Sequence, residues 1–146
     1  MNFEGTCIIK AQRERVFDFI TDPNKIGRCF PDMKSLQMEG EDKFVAIVKV
    51  GIGFLRGDFK FHIAIVEKQP PSRVRLQGNG SGAGSNVDLS TVIELTEVAD
   101  GTKLDYKADA KLVGAIAALA QRVIGSTTEK TINTLFDCVK KQLEQS

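Results

Sequence analysis

The chain of 146 residues has no tryptophan, one tyrosine, one histidine, three cysteines and four prolines. Each shortage closes a route. The single histidine, His62, and three scattered cysteines, Cys7, Cys29 and Cys138, fall short of any metal-ligand spacing. The cysteines form no C-x-x-C pair and are odd in number, so they read as reduced thiols in an intracellular protein, not as a disulfide frame. No stretch approaches the ~20 apolar residues of a membrane span. The opening residues, MNFEGTCIIK, lack the charged and apolar regions of a secretory signal. Neither sign of charge dominates, with 20 basic against 19 acidic residues and a net charge of +1. The basic stripe of a nucleic-acid binder is therefore missing.

Catalytic constellations are equally scarce. Nucleophilic catalysis needs a Ser, Cys or Lys beside a base. His62 falls on the polar side of its segment, two residues from Lys60, and nothing places it beside Cys7 or Cys29. Asp58, Asp88, Glu94, Asp105 and Asp109 all fall on the wet face by parity, so no carboxylate pair projects into a pocket. Residues 78–84 hold four glycines in seven positions, but a strand pattern follows them and no lysine lies near, which argues against a phosphate cradle. They read as a flexible or bulged hairpin.

What is present is periodicity. Residues 2–10 alternate as a strand, with Phe3, Gly5, Cys7 and Ile9 on one face. Residues 12–20 switch to a helical spacing through Val16, Phe17 and Ile20, and a second short helix is predicted over 24–29, with Pro23 in its first turn. From Met33 the period is two for nearly eighty residues, giving strands at 34–40, 43–52, 58–67, 73–78, 85–98 and 103–111. Such alternation means an antiparallel sheet with one buried face, and the short turns make a meander the economical topology. Residues 113–143 carry apolar groups at helical steps, among them Ile116, Leu119, Ala120, Val123, Ile124, Ile132, Leu135, Phe136, Val139 and Leu143. The expectation is one domain over residues 1–146, of the α+β class: a curved seven-stranded antiparallel sheet wrapped on a long C-terminal helix, with two short helices between strands one and two.

The first half of that helical stretch is thin, built from Gly114, Ala115, Ala117, Ala118 and Ala120. The inner face of the sheet carries Phe44, Val48, Val50, Phe59, Phe61, Ile63, Leu76, Val87, Leu89 and Leu104, with Thr91 and Tyr106 as its polar members. Two readings are open, a solid core or an apolar pocket at the small-residue end of the helix. For the pocket the candidate lining is Phe30, Phe44, Val48, Val50, Phe59, Phe61, Ile63, Leu76, Leu89, Thr91 and Tyr106, with Ile116, Ala120, Val123 and Thr127 from the helix. Tyr106 reads as a core tyrosine whose hydroxyl finds a backbone partner, or as a donor to a ligand oxygen. Thr127 carries a similar ambiguity, because helical threonines often bond back to a carbonyl one turn earlier.

Several segments taken in order resemble a known family: Phe3-Glu4-Gly5, Arg15-Val16-Phe17-Asp18-Phe19-Ile20-Thr21-Asp22-Pro23, Cys29-Phe30-Pro31, Val48-Lys49-Val50-Gly51, Gly78-x-Gly80-x-Gly82, Gly101-Thr102-x-Leu104-x-Tyr106, and Gly114 through Arg122-Val123-Ile124 to Leu135-Phe136. Along essentially its whole length the chain resembles the family of the G subunit of carbon monoxide dehydrogenase. The resemblance implies a helix-grip fold of the START and birch-pollen-allergen group, with a large apolar cavity between sheet and helix. It also implies a lipophilic ligand such as a quinone, isoprenoid or lipid, no other cofactor, and a molybdenum hydroxylase of the carbon monoxide dehydrogenase type as partner. Two departures stand out: Asp32 replaces the glycine usual after Cys-x-Pro, and the sequence ends at Ser146, short of the C-terminal extension of many members. The expected protein is then a non-enzymatic carrier in the cytoplasm, touching the inner membrane face transiently at most. The alternatives are a cyclase or dehydratase acting on an aromatic or polyketide substrate, and a pure assembly factor.

Overall fold

The computed structural model describes residues 1–30, 32–119 and 124–144. The opening alternation becomes strand β1 (Asn2–Ile9), whose odd-numbered residues are the better covered. The change of period gives helix α1 (Arg13–Ile20), which buries Val16 and Phe17. Helix α2 (Pro23–Ile26) is capped by Asp22, whose carboxylate accepts the Asn24 N–H at 3.0 Å, and Pro23 occupies the first turn, where no N–H is needed. A 3₁₀ turn (Gly27–Cys29) completes the connection. Then come β2 (Met33–Met38), β3 (Lys43–Ile52), β4 (Leu55–Gln69), β5 (Arg73–Gly82), β6 (Ser85–Val98), β7 (Gly101–Gly114), a second 3₁₀ turn (Ala115–Leu119) and helix α3 (Gly125–Glu144).

The seven strands form one sheet in the order β1-β7-β6-β5-β4-β3-β2, antiparallel at every junction. Strands β2 to β7 are the expected meander. The two short helices carry the chain from one edge, β1, to the other, β2.

Three expectations need correction, two of them about where elements begin and end. The C-terminal helix starts at Gly125, not near residue 113. Val113 and Gly114 instead finish the ladder with Asn86 and Ser85. Gly114 turns the chain at φ +90°, a backbone value that side chains disfavour. The Ala115 N–H then donates to the Gly84 carbonyl at 3.3 Å, and the Ile116 N–H to Ser85 Oγ at 2.8 Å. These bonds tie the turn to the β5–β6 hairpin. The glycine string is the second correction: Gly78, Gly80 and Gly82 lie within β5, and only Ala83 and Gly84 form the turn.

The core is in two separate parts. At one end of the sheet Ile9, Val16, Phe17, Cys29, Val74, Leu95, Leu104, Val139 and Leu143 are buried together. At the other end Leu55, Phe59, Val87, Ile116 and Ile124 form a second cluster. Helix α3 contributes its C-terminal half to the first. There Val139 is 1 % and Leu143 6 % exposed, the Arg15 guanidinium donates to the Leu143 carbonyl at 3.1 Å, and the Lys10 N–H donates to the Glu144 carboxylate at 2.8 Å.

A covalent link joins the same end. Cys29 and Cys138 are disulfide-bonded, with Cα atoms 5.5 Å apart across a sequence separation of 109. The expectation of three reduced thiols is overturned. Their distance in sequence hides the pair, which only the docking of α3 on the 3₁₀ turn brings together. In the chain-entropy treatment a loop of this length stabilises by about 4–5 kcal/mol.

Leu135 is only partly buried, so the anchoring load falls on Val139 and Leu143. Leu143→Ala is expected to lower unfolding free energy by ~2–5 kcal/mol, and Leu135→Ala by less. Urea unfolding with an unchanged slope is the measurement.

Candidate ligand site

Between the two clusters the inner face is not closed. Along β6 the inward residues run buried at Ser85 and Val87, partly exposed at Leu89, Thr91 and Ile93, and buried again at Leu95. Strand β7 repeats the sequence: Thr102 and Leu104 buried, Tyr106 and Ala108 partly exposed, Ala110 buried. Strand β5 does the same, with Leu76 and Gly78 open between buried Val74 and Gly80. The register aligns these rows, since Thr91 pairs with both Leu76 and Ala108 and Leu89 pairs with Gly78. Three adjacent strands are therefore sealed at both ends and open in the middle. These rows are the candidate lining of a ligand site between sheet and helix.

The packing of the strip has a local cause. Phe61 pairs directly with Gly80, Ile63 with Gly78 and Tyr106 with Gly5. A Cβ at Gly80 would overlap the Phe61 ring, and one at Gly5 would lie 2.8 Å from Tyr106 Cε1. At Gly82 a Cβ would lie 2.9 Å from Phe59 Cδ1. Each ring lies close against the bare backbone of the next strand. Glycine in a strand often marks such a close approach.

The structure distributes the expected lining residues as follows. Ile63, Leu76, Leu89, Thr91 and Tyr106 share the open strip, and Val48, Val50 and Phe61 flank it partly exposed. Phe44, Phe59 and Ile116 are 8 %, 1 % and 7 % exposed, so they belong to the packed walls and leave little surface for a ligand. Phe30 is partly exposed just after the 3₁₀ turn that carries Cys29. Thr127 is partly exposed on α3, and its carbonyl accepts the Thr131 hydroxyl at 3.1 Å. Ala120 and Val123 lie outside the described residues. Sequence reasoning passed over Gly5, Gly78, Ile65, Ile93 and Ala108. Parity already put Ile65 and Ile93 on the inner face, whereas the glycines become meaningful only once the register is known.

The electrostatics of the strip are quiet. Burial pushes the Tyr106 phenol up from its ordinary value, and the Glu129 carboxylate and Cys7 push the same way. The phenol therefore stays protonated at neutral pH. Burial also raises the Cys7 thiol; Lys140 opposes this, while Glu144 and Asp105 add to it. His62 lies on the outer face, 3.6 Å from Glu39, with both side chains about half exposed. Among the described residues no three His, Cys, Asp or Glu side chains converge as metal ligands. Two clefts are present. One of about 490 Å³ is lined by Glu4, Gly5, Thr6, Val92, Glu94, Asp105, Tyr106 and Lys107, and so touches the strip at Tyr106; one of about 210 Å³ adjoins α2 and β2. The larger carries charges of both signs, from Glu4, Glu94, Asp105 and Lys107, and the smaller sets Arg28 and Lys34 beside Pro23, Met33 and Leu36. No helix among the described residues is long and apolar enough to cross a membrane.

A raised thiol pKa means less thiolate at any pH below it. Cys7 in the native protein is therefore expected to react with iodoacetamide more slowly than a free thiol at pH 8, gaining rate as pH rises. Cys29 and Cys138 should stay unlabelled until a reductant is added. Peptide mass analysis after timed alkylation measures both.

Comparison with solved structures supports the architecture. A conserved protein from Geobacillus kaustophilus superposes with a TM-score of 0.92 at 31% identity, over 100% of this chain and 97% of that one. A START superfamily protein from Mycobacterium smegmatis gives 0.71 at 11% identity, over 99% and 97%. A protein from Chromobacterium violaceum gives 0.72 at 16%, over 98% and 97%. The fold is thus the START-like helix-grip fold. No curated protein matches the chain. Residues 5–144 match the model of the CoxG family, the G subunit of carbon monoxide dehydrogenase, and the chain belongs to that family.

Proposed function

We propose that this protein is a carrier that holds an apolar small molecule in the hollow between the sheet and α3. The supporting observation is the row pattern of β5, β6 and β7, buried at both ends and open in the middle. Ligand sites are concave and mostly apolar with few polar groups, and this strip offers Ile63, Leu76, Leu89, Ile93 and Ala108 with the hydroxyls of Thr91 and Tyr106. Among the described residues no base stands beside a nucleophile there, which favours binding over catalysis. A quinone, isoprenoid or other lipid matches such a lining. The family name points to an accessory role beside carbon monoxide dehydrogenase, so a molybdenum hydroxylase of that type is the partner to which the ligand would be delivered.

The test is mass spectrometry of organic extracts from freshly purified protein, compared with Ala108→Phe. The wild type should retain an apolar molecule in near-stoichiometric amount, and the variant should fold but lose at least about tenfold in occupancy, a ring filling space the ligand needs. A wild-type protein that retains nothing and binds no added lipophile would contradict the proposal.

A further inference from the structure

Hydroxyls on the inner face behave in two ways. At the sealed ends they are satisfied internally. Thr102 donates to the Ala11 carbonyl at 2.8 Å, and Ser85 accepts the Ile116 N–H. On the open strip, Thr91 and Tyr106 make no hydrogen bond to any described residue. The Tyr106 side chain is partly exposed, yet its position is closely defined. Its ring meets Phe136 of α3 edge-on, with centroids 5.5 Å apart and planes at 62°. From below, it rests on Gly5, where a Cβ would come within 2.9 Å of the hydroxyl itself. Gly5 lies on the edge strand β1, so the phenol is held at the border between the sheet and α3.

We propose that the Tyr106 hydroxyl, laid over Gly5, is the polar end of the ligand site, and that its ligand is an apolar molecule bearing a neutral carbonyl oxygen. This rests on reading the hollow as a ligand site. Tyr106 is the donor and Gly5 the positioning residue, because any side chain there displaces the ring. Glu129 acts on the phenol from α3 and Cys7 from β1, with Lys140 and Glu144 beyond the thiol. With a carboxylate as the nearer charge, a neutral acceptor suits the place better than an anionic headgroup such as a fatty-acid carboxylate.

The experiment uses two fluorescent naphthalenes of matched shape, a 6-acyl-2-dialkylaminonaphthalene and its 6-alkyl analogue without the carbonyl. The emission of the ketone moves to the red when its oxygen accepts a hydrogen bond. Wild-type protein should bind both probes, and Tyr106→Phe should weaken the ketone alone by about 3- to 10-fold, the size of one neutral hydrogen bond. The bound ketone's emission should move to the blue in the same variant. Gly5→Ala, which keeps the tyrosine but moves its ring, should reproduce the blue shift. Unchanged affinity and emission in Tyr106→Phe, with both probes bound, overturn the anchor and leave the hollow standing. A folded Gly5→Ala with wild-type emission overturns the positioning role. Failure of wild-type protein to bind either probe removes the hollow as a ligand site, and this inference with it.

Discussion

Large side chains on one strand lie over glycines on the next, and the interior depends on that complementarity. Phe61 over Gly80, Ile63 beside Gly78 and Tyr106 over Gly5 are direct cross-strand pairs. Protein interiors pack to crystal density, so side chains that lie flat must leave space elsewhere unless the opposite layer descends to take it. Helix α3 reaches this layer at Phe136, whose ring centroid lies 5.5 Å from that of Tyr106. Its middle, through Thr128, Thr131 and Ile132, stays partly exposed. The same glycines that weaken a strand, through entropy and absent side-chain packing, thus keep the floor of the sheet low.

Helix α3 is fastened at one end. Val139, Leu143, the Arg15 and Lys10 hydrogen bonds and the Cys29–Cys138 bridge all act on its C-terminal half. The opposite end of the sheet is closed by other residues, Ile116 and Ile124, which enter the second cluster on either side of the segment leading into α3. Two plugs and one clamp leave the centre uncommitted. A single continuous core would have drawn α3 onto the strip and closed it.

Much of this was legible in the residues. Alternation gave seven strands and the inner face, because the side-chain period of a strand is two and one face is buried. It also put His62 and the carboxylates outside. Three features were not legible, each because it depends on what meets what. Residues 113–119 have helical spacing and helix-forming alanines, yet the β6–β7 ladder takes Val113 and Gly114, and hydrogen bonds to Gly84 and Ser85 hold the next turn. The disulfide joins cysteines 109 positions apart. Phe44 and Phe59 share the parity and chemistry of the strip, and only their place along the sheet makes them buried where Ile63 and Leu89 are partly exposed. The glycine string showed most clearly how far composition goes: it reads as a loop until the register sets Gly80 opposite Phe61.

If the strip is the proposed ligand site, its lining lacks neighbouring atoms on one side when empty, and the dispersion energy those atoms would supply is forfeited. The fold tolerates this because stability is supplied at the ends, by two buried clusters and a covalent link. A ligand entering the strip would restore that attraction, and anything that binds only the folded state stabilises it by mass action. Leu143 and Phe59 finish the ends from within the chain; under the proposed function the centre would be finished by the ligand. Tyr106 sits where the two regimes meet. Its ring is packed by Phe136 like a core residue, and its hydroxyl is left open like a site residue. The backbone partner expected of a core tyrosine is missing among the described residues, and the ring alone is packed.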